Sequence, residues 1–154
     1  MAHTRHSLSF ALLTAGILAL SACESATEPE EEHGEEVEGV ILVMSGRTIA
    51  SYDGEEGAWS GELEGQVGEE SAHINVNFVD HEGNEVELDE DFHLQVEVAD
   101  ESIAEFEQDT PGEFGGHLHG EAAGETTVVF SLMHGPVGAG HADFVTEPLD
   151  VHVR

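Results

Sequence analysis

Apolar residues alternate with polar ones in short runs along the chain, and this two-residue period constrains the fold more than any other feature. In residues 73–79, Ile74 and Val76 point to one side of an extended backbone, while the polar residues between them point to the other. Residues 92–98 and 149–153 repeat the pattern. No window sustains the 3.6-residue period of a helix. The sequence therefore predicts an all-β fold of half-buried, antiparallel strands separated by glycine-containing turns.

The chain begins with a short targeting segment. Arg5 precedes an almost wholly apolar run over residues 8–20, which has the layout of a secretory signal and is short for a membrane span. The run ends in Leu20-Ser21-Ala22-Cys23, and this stretch resembles the lipobox of bacterial lipoproteins. The resemblance implies that residues 1–22 are a signal peptide that is removed and that Cys23 carries acyl chains. It also implies anchoring to the cell envelope, and Glu24 after the cysteine favours the outer membrane.

Acidic residues dominate the charge of the chain. There are 34 aspartates and glutamates against three arginines, and lysine is absent. Binding to a phosphate backbone requires clustered Lys and Arg, so nucleic acid is excluded as a partner. An anionic lipid surface would also repel the protein, which leaves the acyl chains on Cys23 as its contact with the membrane. The acidity is typical of a salt-adapted, halophile-like surface, and specific cation capture is the alternative.

The region after the cysteine divides into a tether and one domain. Residues 23–36 contain seven glutamates and no large apolar residue, so they cannot bury enough surface to order themselves. We expect them to form an acidic disordered linker. Residues 37–154 have the length of a single domain with a two-layer core.

Several segments of this domain resemble bacterial Ig-like domains of envelope proteins and adhesins. Residues 100–106 contain the strand sequence Ser-Ile-Ala, and residues 120–130 form a glycine-flanked turn that leads into a long apolar strand. The strand at residues 72–79 and the turn formers at residues 80–84 are similar as well. The resemblance implies an Ig-like antiparallel β-sandwich of about seven strands. It implies no catalytic or metal-binding residue, because the family has none that can be transferred.

Histidines are concentrated near the C-terminus of this domain. Nine follow the predicted cleavage site, and five of these fall within residues 117–154. In a strand, His117 and His119 project from the same face with Cα atoms roughly 6–7 Å apart, so both rings can reach one ion. Two imidazoles at this spacing form half of a metal site.

A glycine-rich segment at residues 135–140 supplies the other half. It predicts a hairpin that places His134 opposite His141, with Asp143 on the same face as His141. The Ig-like strand order implies that this hairpin lies near the earlier histidine pair. We therefore expect one zinc or copper site. Its predicted ligands are His117, His119, His134, His141 and Asp143. The alternative is that these histidines are exposed hydrogen-bonding residues on an acidic surface.

Enzyme signatures are missing from the sequence. It has no G-x-S-x-G elbow, no phosphate-binding glycine loop followed by lysine, and no thiol other than that of Cys23. We therefore expect a non-enzymatic envelope lipoprotein with a histidine-rich divalent-metal site. The alternative is a structural or adhesive Ig-like module that binds an envelope protein or a surface ligand and holds no metal.

Overall fold

The computed structural model describes residues 36–154. The predicted signal peptide, Cys23 and the tether up to residue 35 lie outside the described residues. Between 36 and 154, no helix has the length and apolar character needed to cross a membrane. The described chain forms eleven strands. In chain order they are β1 (Gly39–Met44), β2 (Arg47–Asp53), β3 (Ala58–Gly61), β4 (Leu63–Gly65), β5 (Ile74–Val79), β6 (Phe92–Val98), β7 (Ala104–Glu107), β8 (Gly115–Gly120), β9 (Gly124–His134), β10 (His141–Val145) and β11 (Leu149–Val153).

The strands form two sheets. Sheet A has six strands in the order β3-β2-β1-β5-β8-β7. Sheet B is built around the long strand β9, which pairs with β10 and β11 along one edge and with β6 along the other, while β4 extends the sheet beyond β11. All these pairings are antiparallel except that of β11 with β4, which is parallel. The predicted all-β, antiparallel sandwich is therefore confirmed, with eleven strands in place of about seven.

The core lies between the two sheets. Alternate residues of β5 and β9 are buried, with Ile74, Val76 and Phe78 contributed by sheet A and Phe130 and Leu132 by sheet B. Burial of these side chains is the main force that holds the sheets together, because each fully buried large apolar side chain contributes about 1.5–3 kcal/mol. The alternation predicted for residues 73–79 thus describes a strand with one buried and one wet face.

Two turns show how local sequence sets the strand ends. Ser45 and Gly46 both have positive φ, 52° and 75°, and join β1 to β2 as a two-residue hairpin loop. At the end of β5, the Asp80 carboxylate accepts hydrogen bonds from the backbone N–H groups of Glu82 and Asn84 and from the Asn84 side chain. The turn chemistry predicted for residues 80–84 accounts for this geometry.

Strand β6 departs from its predicted alternation. The pattern places His93 on the wet face, opposite the core residue Leu94, yet the structure buries His93 on that outer face. The chain around Gly112 covers His93, and the Leu94 N–H donates to the Gly112 carbonyl. The loop around Gly112 therefore covers part of the outer face of β6, which the alternation predicts to be exposed to solvent.

Candidate metal centres

The hairpin between β9 and β10 brings three predicted ligands together. His134 pairs with His141 across the two strands, as the glycine-rich loop predicts. A β-bulge follows at Asp143, which has no partner on β9 because Ala142 and Phe144 pair with consecutive residues. The extra residue turns the Asp143 carboxylate toward the two imidazoles. The predicted convergence of His134, His141 and Asp143 is thus what the structure contains.

The donor atoms of this hairpin cluster lie near the spacing of ligands around a metal ion. His141 Nε2 is 3.0 Å from Asp143 Oδ1, and His134 Nδ1 is 3.8 Å from Asp143 Oδ2. One potential donor atom from each residue lies within 4.8 Å of the other two. Neighbouring ligands of a tetrahedral zinc ion are about 3.3–3.4 Å apart when the bonds are 2.0–2.1 Å long. Small side-chain movements would therefore bring all three donors onto one ion.

His134 is held more firmly than His141. Its ring stacks on Phe92 of β6, with centroids 4.8 Å apart and planes at 20°, and it also faces the His141 ring at 5.3 Å. His134 is two residues after Leu132 and therefore lies on the same, core-facing side of β9. His141 has 73% of its side chain exposed. The cluster thus combines one supported imidazole with one that solvent ions reach freely.

The other two predicted ligands lie elsewhere. His117 and His119 belong to β8 in sheet A, whereas the hairpin belongs to sheet B. The two histidines flank the buried Leu118 and therefore point to the outer face of sheet A. The structure divides the five predicted ligands between two places, because β8 pairs with β5 and β7 and not with the β9–β10 hairpin.

His117 lies among partners that the sequence did not identify. His73 and Asp109 each place a donor atom within 4.8 Å of a donor atom of His117, and with it they form a second cluster. The alternation in residues 73–79 identifies His73 only as a polar residue on the wet face of a strand. Asp109 could not be distinguished from the other acidic residues, and the long-range pairing of β5 with β8 has no local signal.

The environment of His117 fixes its protonation pattern. Its Nδ1 lies 2.9 Å from the Ser71 carbonyl oxygen. Because a carbonyl oxygen only accepts hydrogen bonds, Nδ1 carries a proton and donates it. This hydrogen bond raises the pKa of His117, and the nearby carboxylates of Glu70 and Asp109 raise it further. In the neutral ring, Nε2 therefore keeps its lone pair.

His119 has a different set of neighbours. Its Nε2 lies 3.6 Å from Glu70 Oε2 and 3.4 Å from Glu107 Oε2. Glu70 also faces His117 through its other oxygen, with 3.4 Å between Glu70 Oε1 and His117 Nδ1. One carboxylate thus lies between both imidazoles of β8. His119 belongs to this row of alternating imidazoles and carboxylates and not to either three-residue cluster.

Comparison with known proteins finds similarity in structure and not in sequence. No protein-family model matches the sequence, and no curated protein matches it. The crystal structure of domains 4 and 5 of the S-layer protein SbsC is similar, with a TM-score of 0.43 and 17% sequence identity. The similarity covers 61% of this chain and 47% of that one, so the chain spans about half the length of the structure it matches.

Proposed function

We propose that this protein is a non-enzymatic, acyl-anchored lipoprotein of the cell envelope whose β-sandwich binds a divalent metal of the zinc or copper type. The observation that carries the proposal is the hairpin cluster of His134, His141 and Asp143. Imidazole with carboxylate suits both zinc and copper. The acyl chains on Cys23 would hold the domain at the membrane, with the outer membrane as the expected location.

The hairpin cluster is open to solvent. It lies beside a glycine-rich loop at one end of the sandwich, and its His141 and Asp143 are exposed. An ion held by three protein ligands would keep positions open to water or to a ligand from another molecule. This arrangement is suited to capturing and releasing an ion from the surrounding fluid.

The surface of the domain gives less support to the adhesive alternative. Adhesion through an apolar patch requires several large hydrophobic side chains exposed side by side. Among the residues that the structure describes, Val67, Val137 and Val145 are the exposed large hydrophobics. Val67 follows β4, Val137 lies in the hairpin loop and Val145 ends β10. A binding role based on imidazole and carboxylate therefore agrees better with the surface.

Calorimetric titration of the full chain in detergent with zinc, and separately with copper, tests the metal proposal. A salt concentration of about 1 M shortens the Debye length to roughly 3 Å and so suppresses diffuse attraction to the acidic surface. We expect His134→Ala/His141→Ala to bind one ion fewer per chain than the native sequence. The matched control is His81→Ala, which removes an exposed imidazole outside both clusters.

Two results would contradict the proposal. One is an unchanged number of bound ions in the His134→Ala/His141→Ala variant. The other is an equal loss of binding in the control His81→Ala, which would indicate that any surface histidine contributes to diffuse binding.

The anchor requires a separate experiment. Mass spectrometry of the membrane-bound protein should find an acylated N-terminal cysteine at position 23, and Cys23→Ser should abolish processing. Recovery of a membrane-bound protein that still begins at Met1 would refute the lipoprotein assignment without affecting the metal proposal.

A further inference from the structure

The register of sheet A places a second pair of imidazoles side by side. Strand β5 pairs with β8 through Ile74 and Gly116, so the preceding His73 lies opposite the following His117. Residues opposite one another on antiparallel strands project from the same face. The two rings meet edge to face, with centroids 5.2 Å apart and planes at 82°. This pair is on the outer face of sheet A and shares no residue with the hairpin cluster.

Asp109 completes this sheet cluster from the loop after β7. Its Oδ2 lies 3.9 Å from His73 Nε2 and 3.6 Å from His117 Nε2. Both distances are too long for hydrogen bonds. They are slightly larger than the separation of about 3.3–3.4 Å between neighbouring ligands of tetrahedral zinc. The three donors thus converge at distances that an ion could bridge after small side-chain movements.

The Nε2 atom of His117 has a free lone pair for binding in the neutral ring. Because His117 donates its Nδ1 proton to the Ser71 carbonyl, its Nε2 is left as the acceptor that faces Asp109 and His73. Metal-binding histidines commonly donate their other ring proton to a backbone carbonyl, which fixes the tautomer and orients the ring. Ser71 thus performs for His117 the role of such a positioning residue.

The loop that carries Asp109 is also held in place. Glu113 accepts a hydrogen bond of 2.7 Å from the Asp109 backbone N–H, and the same Oε1 atom lies 3.9 Å from His73 Nε2. Gln108 donates to the carbonyls of Glu113 and Leu94 and so ties the loop to β6. Glu113 therefore positions Asp109 and places a second carboxylate beside the cluster. Its negative charge favours a cation there.

Gly115 provides the room for His73. A Cβ atom at this position would lie 2.5 Å from His73 Cε1 and 3.1 Å from His73 Nε2. Any other residue at position 115 would displace the imidazole from its place beside β8. The sequence signal for this site is therefore the glycine pair before His117, which allows the ring of the neighbouring strand to lie close.

We infer that His73, His117 and Asp109 form a second divalent-metal site of the zinc class on the outer face of sheet A, with a fourth position open to water or to Glu113. The inference does not depend on the hairpin cluster. A chain with both sites would hold two ions, one at the end of sheet B and one on the outer face of sheet A.

Zinc titration of the full chain in about 1 M salt tests the second site in a background without the first. All variants carry Cys23→Ser so that no thiol competes. We expect His134→Ala/His141→Ala to retain one ion per chain and the further change His73→Ala/His117→Ala to remove it. Loss of orienting residues around a metal already lowers affinity 10- to 100-fold, so loss of two ligands should lower it at least about 100-fold.

Two further variants separate a ligand site from attraction to an acidic surface. Asp109→Asn preserves the shape of the loop but removes the anionic ligand, and we expect it to weaken zinc binding about 10- to 100-fold. The matched control, His152→Ala, removes an imidazole that lies between the carboxylates of Glu62 and Glu125 without a second histidine. We expect the control to leave the stoichiometry unchanged.

The possible results separate the two sites. If His73→Ala/His117→Ala does not change zinc uptake in the background without the hairpin site, the second site is refuted. The same conclusion follows if His152→Ala lowers uptake as much. If the native sequence and His134→Ala/His141→Ala bind equally but His73→Ala/His117→Ala abolishes binding, the second site is supported and the hairpin proposal fails.

Discussion

Phe130 gives a direct test of how the two sheets are joined. It lies in the middle of β9 with none of its surface exposed. Its ring contacts Phe106 of β7 edge to face at a centroid distance of 5.8 Å, and Trp59 of β3 at 5.9 Å. Both partners belong to sheet A, near its opposite edges. Phe130 therefore connects sheet B to both sides of the other sheet, and its removal would leave a cavity at the centre of the sandwich.

The expected cost of Phe130→Ala follows from this burial. Replacing a buried phenylalanine by alanine typically costs about 3–5 kcal/mol, which includes the cavity that remains. Each aromatic pair that is lost contributes roughly 0.5–1.5 kcal/mol beyond area burial, so we expect a value near the upper end. A domain of about 120 residues has a folding stability of roughly 6–18 kcal/mol. Phe130→Ala would thus remove about a quarter or more of the folding stability of the domain.

Urea denaturation followed by the fluorescence of Trp59, the single tryptophan, measures this loss. With a slope of about 2 kcal/mol per M, the midpoint should fall by roughly 2 M. The control is Val145→Ala on β10, whose side chain is 52% exposed and whose loss should change stability by less than about 0.5 kcal/mol. A loss below about 1 kcal/mol for Phe130→Ala would refute the shared core described here.

Two other predictions concern the turns. The hydrogen bonds from the side chain and backbone of Asn84 lower the pKa of Asp80 below its ordinary value of 3.8. The ionised Asp80 therefore stabilises the folded state above about that pH, and the benefit is lost as the pH falls through the lowered value. The urea midpoint of Asp80→Asn should lie below that of the native protein at neutral pH and converge with it in strong acid. A gap that persists there would contradict the reasoning. In the first hairpin, Gly46 has a φ of 75° and open space around its Cβ position, so Gly46→Ala should cost about 1 kcal/mol in the same assay through backbone strain alone. An unchanged midpoint would show that the loop relaxes into another turn.

The sequence predicts local features of this protein better than distant ones. Alternation identifies β5, β6 and β11 because burial of one face imposes a two-residue period on the side chains. The loop of residues 135–140 predicts the pairing of His134 with His141 because a hairpin relates residues that are close along the chain. These features depend on short-range geometry, which the order of residues determines directly.

The position of β8 could not be predicted in this way. Its pairing with β5 and β7 depends on which strands meet after the chain has folded, and no local pattern in residues 115–120 specifies those partners. His117 therefore lies beside His73, 44 positions earlier in the sequence, and not beside the hairpin. The sequence also does not predict the position of Asp109 beside these histidines, because nothing distinguishes it from the other acidic residues among the 34 in the chain.

The central claim is that pairs of imidazoles bind divalent metal at defined places on the sandwich. Long-range ¹H–¹⁵N NMR of the histidine rings during a zinc titration tests it most directly, because the nitrogen signals report both the tautomer and the metal bond of each ring. We predict that the signals of His134 and His141, and those of His73 and His117, change with the first two equivalents of zinc, while those of His81 and His152 do not. Gradual, similar shifts of all histidines up to a large excess of zinc would contradict the account.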